Sequence, residues 1–308
     1  PFTGTGTFIT RLLQSGLISK DELAYKFKNE IHANELVLLA YYIAAINIEQ
    51  VYHNIMGGDY VPFEGICLTD TFALYEKDDL VSEVLADNST RRRKQKKLDI
   101  RVIVGNPPYS TGQSNANDNA GNVRYPHLDC SIENSYAKFS NATLQRNLYD
   151  SYVRAIRWAS DRIGASGVIG FVSGSGFLEK PAMAGMRKCL AEEFSSLYIF
   201  NLRGDIRKNM LSKGAAKEGQ NIFDSGSMTG IAISILVKRN DAVASGNIYY
   251  ADIGDDLKTQ EKLDRISKCG SVLGDDELNK FILIKPDEHF DWIKQRDSSF
   301  VQFICMGD

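Results

Sequence analysis

Two kinds of hydrophobic pattern alternate along the chain. Short, nearly continuous apolar runs rich in β-branched residues predict buried strands, and longer runs with apolar residues three and four apart predict amphipathic helices. Strands are predicted at 24–31, 64–69, 100–105, 167–173, 195–202, 229–238 and 246–252. Helices are predicted at 5–14, 33–52, 144–163 and 180–193, with 73–97 mostly helix or loop. This alternation is typical of an α/β fold with a doubly wound, mostly parallel sheet.

Two long polar stretches interrupt the alternation. Residues 110–142 are rich in Ser, Gly and Asn and are predicted to form a loop, and the Gly- and Lys-containing residues 203–220 are predicted to form another. Loops of this length are usually either functional or disordered. After about residue 255 the periodicity weakens, and residues 280–292 are interpreted as the start of a further module.

The most informative chemical feature is the turn Asn106-Pro107-Pro108-Tyr109, which directly follows the predicted strand 100–105. The strand must end there, because prolines cannot extend a hydrogen-bonded ladder. Ligands of open α/β sheets bind at the carboxyl ends of the strands, where this turn would lie. The Asn106 side-chain oxygen and the Pro107 carbonyl can accept hydrogen bonds from an amino group, and the Tyr109 ring can stack on the planar system that carries it.

A second feature is the glycine turn at the start of the sequence. Gly4 and Gly6 stand two residues apart, at the beginning of the helix predicted for 5–14. Glycines in such a turn allow backbone N–H groups to approach a ligand closely. The turn is not the Gly-x-Gly-x-x-Gly dinucleotide fingerprint, because residue 9 is Ile. By itself the turn is a weak signal, and it becomes informative only together with residues 106–109.

Composition narrows the setting without identifying the chemistry. With 43% hydrophobic residues and a formal net charge of −3, this is an ordinary globular sequence, so any contact with nucleic acid would come from local basic patches. The five cysteines are widely spaced without a Cys-x-x-Cys pair, and the four histidines have no metal-ligand spacing. These patterns argue against a zinc site or a disulfide framework and favour a reducing cytoplasm. No apolar run approaches the roughly 18 residues of a membrane span.

Together the two turns resemble the motifs of the S-adenosylmethionine-dependent amino-group DNA methyltransferases. Phe2-x-Gly4-x-Gly6 matches the cofactor motif of that family, and residues 106–109 match its catalytic motif in the adenine-N6 form. The cofactor motif comes first, which is the order of the gamma class. Segments 33–36 and 148–152 look most similar to the methyltransferase part of type ISP restriction-modification enzymes. The resemblance covers residues 1–240 well and the remainder loosely.

The resemblance implies a Rossmann-like methyltransferase fold, S-adenosyl-L-methionine as cofactor, and methyl transfer to the N6 amino group of an adenine flipped out of double-stranded DNA. It implies catalytic roles for Asn106, Pro107 and Tyr109, and it places Phe223 at the extruded base. The residues that it assigns to the cofactor are Phe2, Thr3, Gly4, Gly6, Glu30, Ile31, Asp70 and Phe72. In this interpretation Glu30 ends a strand and binds the ribose hydroxyls.

Several assignments have structural alternatives. Glu30 could instead stabilise the amino terminus of the helix predicted to begin at residue 33, since acids are favoured there. Asp70, implied to lie by the cofactor adenine, could be an exposed turn residue. Phe223 could be an ordinary core residue, because an Ile-Phe pair before a predicted strand usually is.

Two basic stretches outside the motifs also have two interpretations. Residues 91–97 hold six cations in seven positions; a solvated helix face is favoured, and a surface that follows DNA phosphates is the alternative. The loop 203–220 could be disordered without DNA and become ordered on phosphate contact. Its cations are Arg203, Arg207, Lys208, Lys213 and Lys217.

We expect residues 1–240 to form the methyltransferase domain, and residues 241–308 to form the end of the sheet and the start of a DNA-recognition module. In the family, a strand ending in an acid precedes the position at which this sequence opens. The sheet is therefore expected to be truncated at its first strand. An upstream strand would lie between the strands ending at Glu30 and Asn106, and 1–308 alone would be insoluble or bind cofactor poorly. Nuclease, helicase and target-recognition domains are expected on the same longer polypeptide, in a prokaryotic cytoplasm and not in a membrane.

Two other functions remain open from the sequence. Asn-Pro-Pro-Tyr also occurs in methyltransferases that modify a glutamine amide of a protein, but those are compact, whereas a long polar stretch follows the motif here. The chain could also be a non-catalytic module that senses cofactor and recognises DNA for an attached nuclease or helicase. The intact catalytic tetrapeptide argues for chemistry.

Overall fold

The structure of the protein is a computed structural model that describes most of the chain. The described residues are 1–76, 86–108, 123–140, 142, 145–223, 228–240, 246–272 and 280–295. Tyr109 of the predicted catalytic turn lies outside them, as do residues 110–122 and 141 of the predicted loop that follows it.

The amino-terminal part of the chain folds around a short pair of parallel strands. Its elements, in order, are α1 (Thr7–Gln14), α2 (Lys20–Asn29), β1 (Ala33–Glu35), α3 (Leu38–Met56) and β2 (Ile66–Leu68). β1 pairs with β2 in parallel, with Ala33 opposite Ile66. The three helices and the two strands share one apolar cluster, which includes Leu23, Phe27 and Ile48.

The remaining strands form a six-stranded sheet. They are β3 (Val102–Gly105), β4 (Gly167–Gly174), β5 (Ser196–Arg203), β6 (Ile231–Lys238), β7 (Asn247–Asp252) and β8 (Ile282–Ile284). The order across the sheet is β3-β4-β6-β5-β7-β8. β3 pairs with β4 and β5 pairs with β7 in parallel, whereas β6 and β8 are antiparallel to their neighbours. Hence β3, β4, β5 and β7 run in one direction, and the predicted mostly parallel α/β fold is confirmed.

Six further α-helices belong to the described residues, and one of them lies deep in the core. They are α4 (Ala86–Lys96), α5 (Pro126–Ile132), α6 (Ser151–Arg162), α7 (Ala184–Glu193), α8 (Ile206–Leu211) and α9 (Thr259–Cys269). In α6 every residue from 151 to 160 is buried. Its buried Arg154 pairs with Asp129 at 2.8 Å, and its buried Arg157 pairs with Glu193 at 2.6 Å. Pairing is what makes burial of these charges tolerable.

The two sheets do not pair with each other in the described part of the chain. β1 and β3 border the same cleft, with Ala33 and Asn34 on one side and residues 102–104 on the other. Val102 and Val104 are 63% and 43% exposed. This is unusual for apolar residues of a parallel strand, which are normally covered on both faces. The cleft lies where the sequence predicts a further strand, and that strand stays a prediction.

The predicted strand at 24–31 is wrong, because these residues belong mainly to α2. Leu23 and Phe27 are four residues apart and both fully buried, which is the spacing of one helix face. Asp21 lies in the first turn and Lys28 in the last, as the helix dipole favours. The strand of this region is instead β1, at the start of the helix predicted for 33–52.

Two other predictions also need correction. The loop predicted at 110–142 contains α5, and the loop predicted at 203–220 contains α8. The segment 280–292 joins the main fold, since β8 pairs with β7 and Trp292 packs in the main core. The further module that the sequence predicts from this segment stays a prediction. The fully buried Arg187 donates to the Phe290 carbonyl at 2.6 Å and also bonds the Asp291 carboxylate, which fixes this segment on α7.

The basic run at 91–97 forms the predicted solvated helix face only in part. Arg92 is buried in α4 and its guanidinium donates to the Ala73 carbonyl at 3.4 Å. Arg91 donates to the Tyr41 hydroxyl at 3.2 Å, whereas Arg93 and Lys94 are exposed. The run therefore packs α4 against its neighbours as well as presenting charge to solvent.

Candidate functional site

Four segments that are distant in the sequence meet at the carboxyl ends of β1, β2 and β3. They are residues 1–6, Glu35 at the end of β1, Asp70 after β2 and Asn106 after β3. Because β1 and β2 are parallel, their carboxyl ends share one edge of the small sheet. Contacts of residues 1–6 with Glu35 and with Gly105 bring the end of β3 to the same place.

The glycine turn depends on positive backbone angles. φ is +58° at Gly4 and +88° at Gly6, in the left-handed region that favours glycine. A Cβ on Gly6 would lie 3.2 Å from Ile48 Cγ1 and 3.3 Å from the Ala44 carbonyl oxygen, so α3 leaves no room for a side chain. A Cβ on Gly4 would meet no atom within 4 Å. The turn is therefore packed against α3 at Gly6 and open at Gly4.

Glu35 holds the glycine turn and was missed by the sequence-based prediction. Its buried carboxylate, 8% exposed, accepts the Gly4 N–H at 2.7 Å, the Leu36 N–H at 2.9 Å and the Val37 N–H at 2.8 Å. One oxygen takes two of these bonds and the other oxygen takes one. The second oxygen therefore keeps a lone pair for a further donor.

Glu30 and Ile31 are not brought to this edge. They precede β1, at the opposite end of the strand from Glu35, and Glu30 pairs with Lys26 at 2.8 Å on the surface. This pairing raises the pKa of Lys26, through the hydrogen bond to Glu30 and its charge. The structure thus removes the reason for assigning these two residues to the cofactor, since the strand that was to end at Glu30 is a helix.

Residues 1–3 connect the glycine turn to two strand ends. The Thr3 N–H and the Thr3 hydroxyl both donate to the Asn34 carbonyl, at 3.0 and 2.9 Å. The carbonyl oxygen of Pro1 lies 3.0 Å from where a Cβ on Gly105 would stand. Gly105 is the residue before Asn106. The segment that leads into the glycine turn therefore lies against the last residue of β3, directly before the Asn-Pro-Pro turn.

A cluster of three aromatic rings flanks the glycine turn. Phe72 is buried, with its ring centroid 5.3 Å from that of Phe2 and 5.3 Å from that of Tyr125. Asp70 accepts the Phe72 N–H at 2.9 Å and the Tyr125 hydroxyl at 2.7 Å. Burial, and then the charge of Asp70, raise the pKa of Tyr125 far above its ordinary value. Tyr125 therefore stays protonated and donates, which fixes Asp70 beside the turn. No sequence motif marked Tyr125.

The predicted substrate side of the site is partly described. Asn106 follows β3 directly and is partly buried, Pro107 is buried and Pro108 is exposed. Phe223 is a surface residue at the same edge, and its N–H donates to the Asn221 side-chain oxygen at 2.9 Å. The Asn221 amide in turn donates to the Thr229 carbonyl at 2.8 Å, so the turn that carries Phe223 is anchored next to β6.

The cations of 203–220 are mostly paired within the protein. Arg203 bonds Asp252 at 2.8 Å, Lys208 bonds Glu179 at 2.8 Å and Lys217 bonds Asp255 at 2.9 Å. Arg207 and Lys213 are exposed. Three of the five candidate phosphate ligands therefore already have acidic partners. No cluster of His, Cys, Asp or Glu able to hold a metal ion occurs among the described residues. None of the described helices is both long and apolar enough to cross a membrane.

Comparison with known proteins shows that the chain is similar to one part of larger restriction-modification enzymes. No family model and no curated protein matches it. It is similar to the ATP-dependent type ISP restriction-modification enzyme LlaBIII bound to DNA, with 46% identity and a TM-score of 0.91 over 100% of this chain and 21% of that one. It is also similar to a nuclease-deletion mutant of the type ISP enzyme LlaGI in complex with a DNA substrate mimic, with 48% identity and a TM-score of 0.89 over 98% of this chain and 25% of that one. A third similar structure is a DrdV–DNA complex, with 36% identity and a TM-score of 0.84 over 96% of this chain and 28% of that one.

The predicted resemblance to type ISP restriction-modification enzymes is thus confirmed, and it extends over the whole chain instead of fading after residue 240. The chain spans between about a fifth and somewhat more than a quarter of the length of these proteins.

Proposed function

We propose that this chain is the DNA-methyltransferase domain of a restriction-modification enzyme, and that it transfers a methyl group from S-adenosyl-L-methionine to the N6 amino group of an adenine in double-stranded DNA. The supporting observation is that the segment leading into the glycine turn lies against Gly105, directly before the Asn-Pro-Pro turn at the carboxyl end of β3. A methyl donor and a methyl acceptor held there would be neighbours. Nuclease, helicase and target-recognition domains on the same polypeptide, in a prokaryotic cytoplasm, complete the proposal.

The residues at the glycine turn fit the proposed cofactor. Gly4 faces open space, so a ligand can lie against its backbone, and Glu35 keeps an acceptor position suited to a hydroxyl group such as those of a ribose. Phe2, which is partly exposed and packs on the buried Phe72, offers aromatic surface beside it. When bound, S-adenosyl-L-methionine supplies a methyl group that the positive charge of its sulfonium has already activated.

Asn106 and Pro107 bind the amino group that accepts the methyl group in the proposed reaction. An exocyclic adenine amine is a poor nucleophile because its lone pair is delocalised into the ring. Hydrogen bonds from the amine to the Asn106 side-chain oxygen and the Pro107 carbonyl favour a pyramidal nitrogen, whose lone pair is free in the transition state. No prior deprotonation is needed. The fixed proline backbone contributes alignment of the two reactants, which is worth several kcal/mol when both are bound in line.

The base must leave the duplex for its amine to reach this edge. Unstacking costs a few kcal/mol, and such enzymes recover it by stacking the base on aromatic side chains. Tyr109 next to the catalytic turn, and Phe223 at the same edge, are the rings that we assign to this task.

The test is transfer of labelled methyl groups by the longer native polypeptide, followed by chromatography of the hydrolysed DNA. We expect label in N6-methyladenine, and none with the Asn106→Ala variant. Label in protein glutamine would support the protein methyltransferase instead. Cofactor and DNA binding without any transfer, at all DNA sequences offered, would support the non-catalytic sensing module and overturn the proposal.

A further inference from the structure

One face of α3 is apolar and exposed. Thirteen consecutive residues, from Leu36 to Ile48, include no charged side chain. The large side chains on the outer side of this stretch are exposed to different degrees. They are Leu39 at 70%, Tyr42 at 55%, Ile43 at 37% and Ile46 at 64%. We call these four residues the α3 face.

The α3 face is a coherent stripe and not scattered exposure. At 3.6 residues per turn, its four residues fall within an arc of about 100°. The buried residues Ala44, Ile48 and Tyr52 lie on the opposite side of the helix and contact the amino-terminal core. The helix is therefore apolar on two sides. Leu36, Val37 and Leu38, each more than half exposed, extend the apolar surface before its first turn.

Such a surface needs a covering. Contiguous apolar patches beyond a few hundred Å² are rare on monomeric proteins and mark interaction sites. A DNA partner is disfavoured, since DNA binding depends on cations and the stretch has none. A small ligand is disfavoured, since the face is the outside of a helix and not a concave pocket. A protein surface of matching apolarity remains.

We propose that the α3 face docks against an apolar surface of another domain of the same longer polypeptide. The relatives match this chain over nearly its whole length, yet the matched part is only 21%, 25% and 28% of theirs. In chains of that length most of the mass lies outside the segment described here. An intramolecular partner is present at high effective concentration and needs few favourable contacts to stay docked.

Cysteine labelling in the longer native polypeptide tests this. Leu39→Cys and Ile46→Cys report on the face, and Asn54→Cys, exposed near the carboxyl end of the same helix, is the matched control. Labelled sites are read by peptide mass spectrometry, because Cys130 is also exposed. We expect maleimide to react with the two face positions at least tenfold more slowly than with the control, at every protein concentration. All three rates should become equal in urea.

Equal rates in the native protein would overturn the proposal. Protection that disappears on dilution, with a matching fall in mass by light scattering, would show that a second copy is the partner and would also overturn it. A second measurement uses the charged double variant Leu39→Glu/Ile46→Glu. Limited proteolysis should separate the domains at least tenfold faster than in the matched Asn54→Glu variant, and equal cleavage of the folded proteins would contradict the docking.

Discussion

Replacing Glu35 by Gln is the sharpest test of how the candidate site is held together. The substitution keeps the size and shape of the side chain and removes its charge. The carboxylate accepts three backbone N–H groups, from Gly4, Leu36 and Val37, in a nearly water-free position. A glutamine amide has only one acceptor oxygen, so it cannot satisfy all three donors.

The size of the effect follows from the geometry. The amide oxygen can serve Leu36 and Val37, and its NH₂ group then faces the Gly4 N–H, donor against donor. A hydrogen bond to a charged group contributes about 1.5–3 kcal/mol and a neutral one about 0.5–1.5 kcal/mol. The variant loses the charged hydrogen bond to Gly4, and the hydrogen bonds to Leu36 and Val37 become neutral ones. Part of this loss of stability is offset, because burying an amide costs less free energy than burying a carboxylate. We expect a net loss of about 2–3 kcal/mol, a roughly 30- to 150-fold change in an equilibrium constant.

The assay is calorimetric titration of S-adenosyl-L-methionine into the longer native polypeptide, with Glu30→Gln as the control. Glu35→Gln should weaken cofactor binding by up to the factor above, because it removes both the acceptor of the Gly4 N–H and the free acceptor position proposed for the ribose. Glu30→Gln removes only an exposed ion pair with Lys26 and should change affinity little. Normal affinity in Glu35→Gln, or a loss confined to Glu30→Gln, would refute the reasoning and restore the sequence-based assignment.

Three further predictions follow from single positions. Asn106→Ala should abolish methyl transfer and leave cofactor affinity within about threefold by calorimetry, because Asn106 lies on the substrate side; a folded variant that loses cofactor binding would contradict this. Gly4→Val and Gly6→Val should both weaken cofactor binding measured by calorimetry, since each strains a positive φ by about 1–2 kcal/mol. At Gly4 the new side chain also fills the space proposed for the ligand, whereas at Gly6 it presses on α3, so Gly6→Val should lower the urea midpoint more than Gly4→Val; unchanged cofactor affinity in both variants would show that the turn is only structural. Burial raises the pKa of Asp150 from 3.8 to about 6, so its stabilising effect is present below pH 4 and lost as pH rises through 6. Asp150→Asn should therefore raise the urea midpoint of unfolding at pH 7 and change it little at pH 4. A lower midpoint at pH 7 would show that the charged Asp150 carboxylate stabilises the fold, contrary to the raised pKa.

The sequence predicts the catalytic side of the site well, because its signal is local. A β-branched run closed by two prolines can only be a strand followed by a turn, and β3 followed by Asn106 is what the structure shows. Asp70 directly after β2 is also a local signal, an acid that follows a short apolar run. The closeness of residues 1–3 to the end of β3 is not a consequence of strand pairing, since β1 and β3 belong to separate sheets.

The cofactor side could not be predicted as well, for physical reasons. β1 has only three residues, all buried, and continues into the apolar start of α3, so no change of period marks the boundary. The upstream helix α2 was mistaken for the strand although its buried Leu23 and Phe27 have helical spacing. Tyr125 could not be found at all, since its role depends on a contact with Asp70, which is distant in the sequence.

Glu35 explains why β1 is so short and why α3 begins where it does. The backbone carbonyl of Glu35 still accepts from the Thr69 N–H at 2.8 Å, as a strand residue paired with the β2 side would. Its side chain, however, captures the N–H groups of Leu36 and Val37, so these cannot continue a ladder. The carboxylate also lies just before the amino terminus of α3, where the helix dipole favours a negative charge. One side chain thus ends the strand, stabilises the start of α3 and fixes the glycine turn. Since all three depend on the same charge, Glu35→Gln should disturb them together, and amide exchange should rise in both residues 1–6 and the first turn of α3.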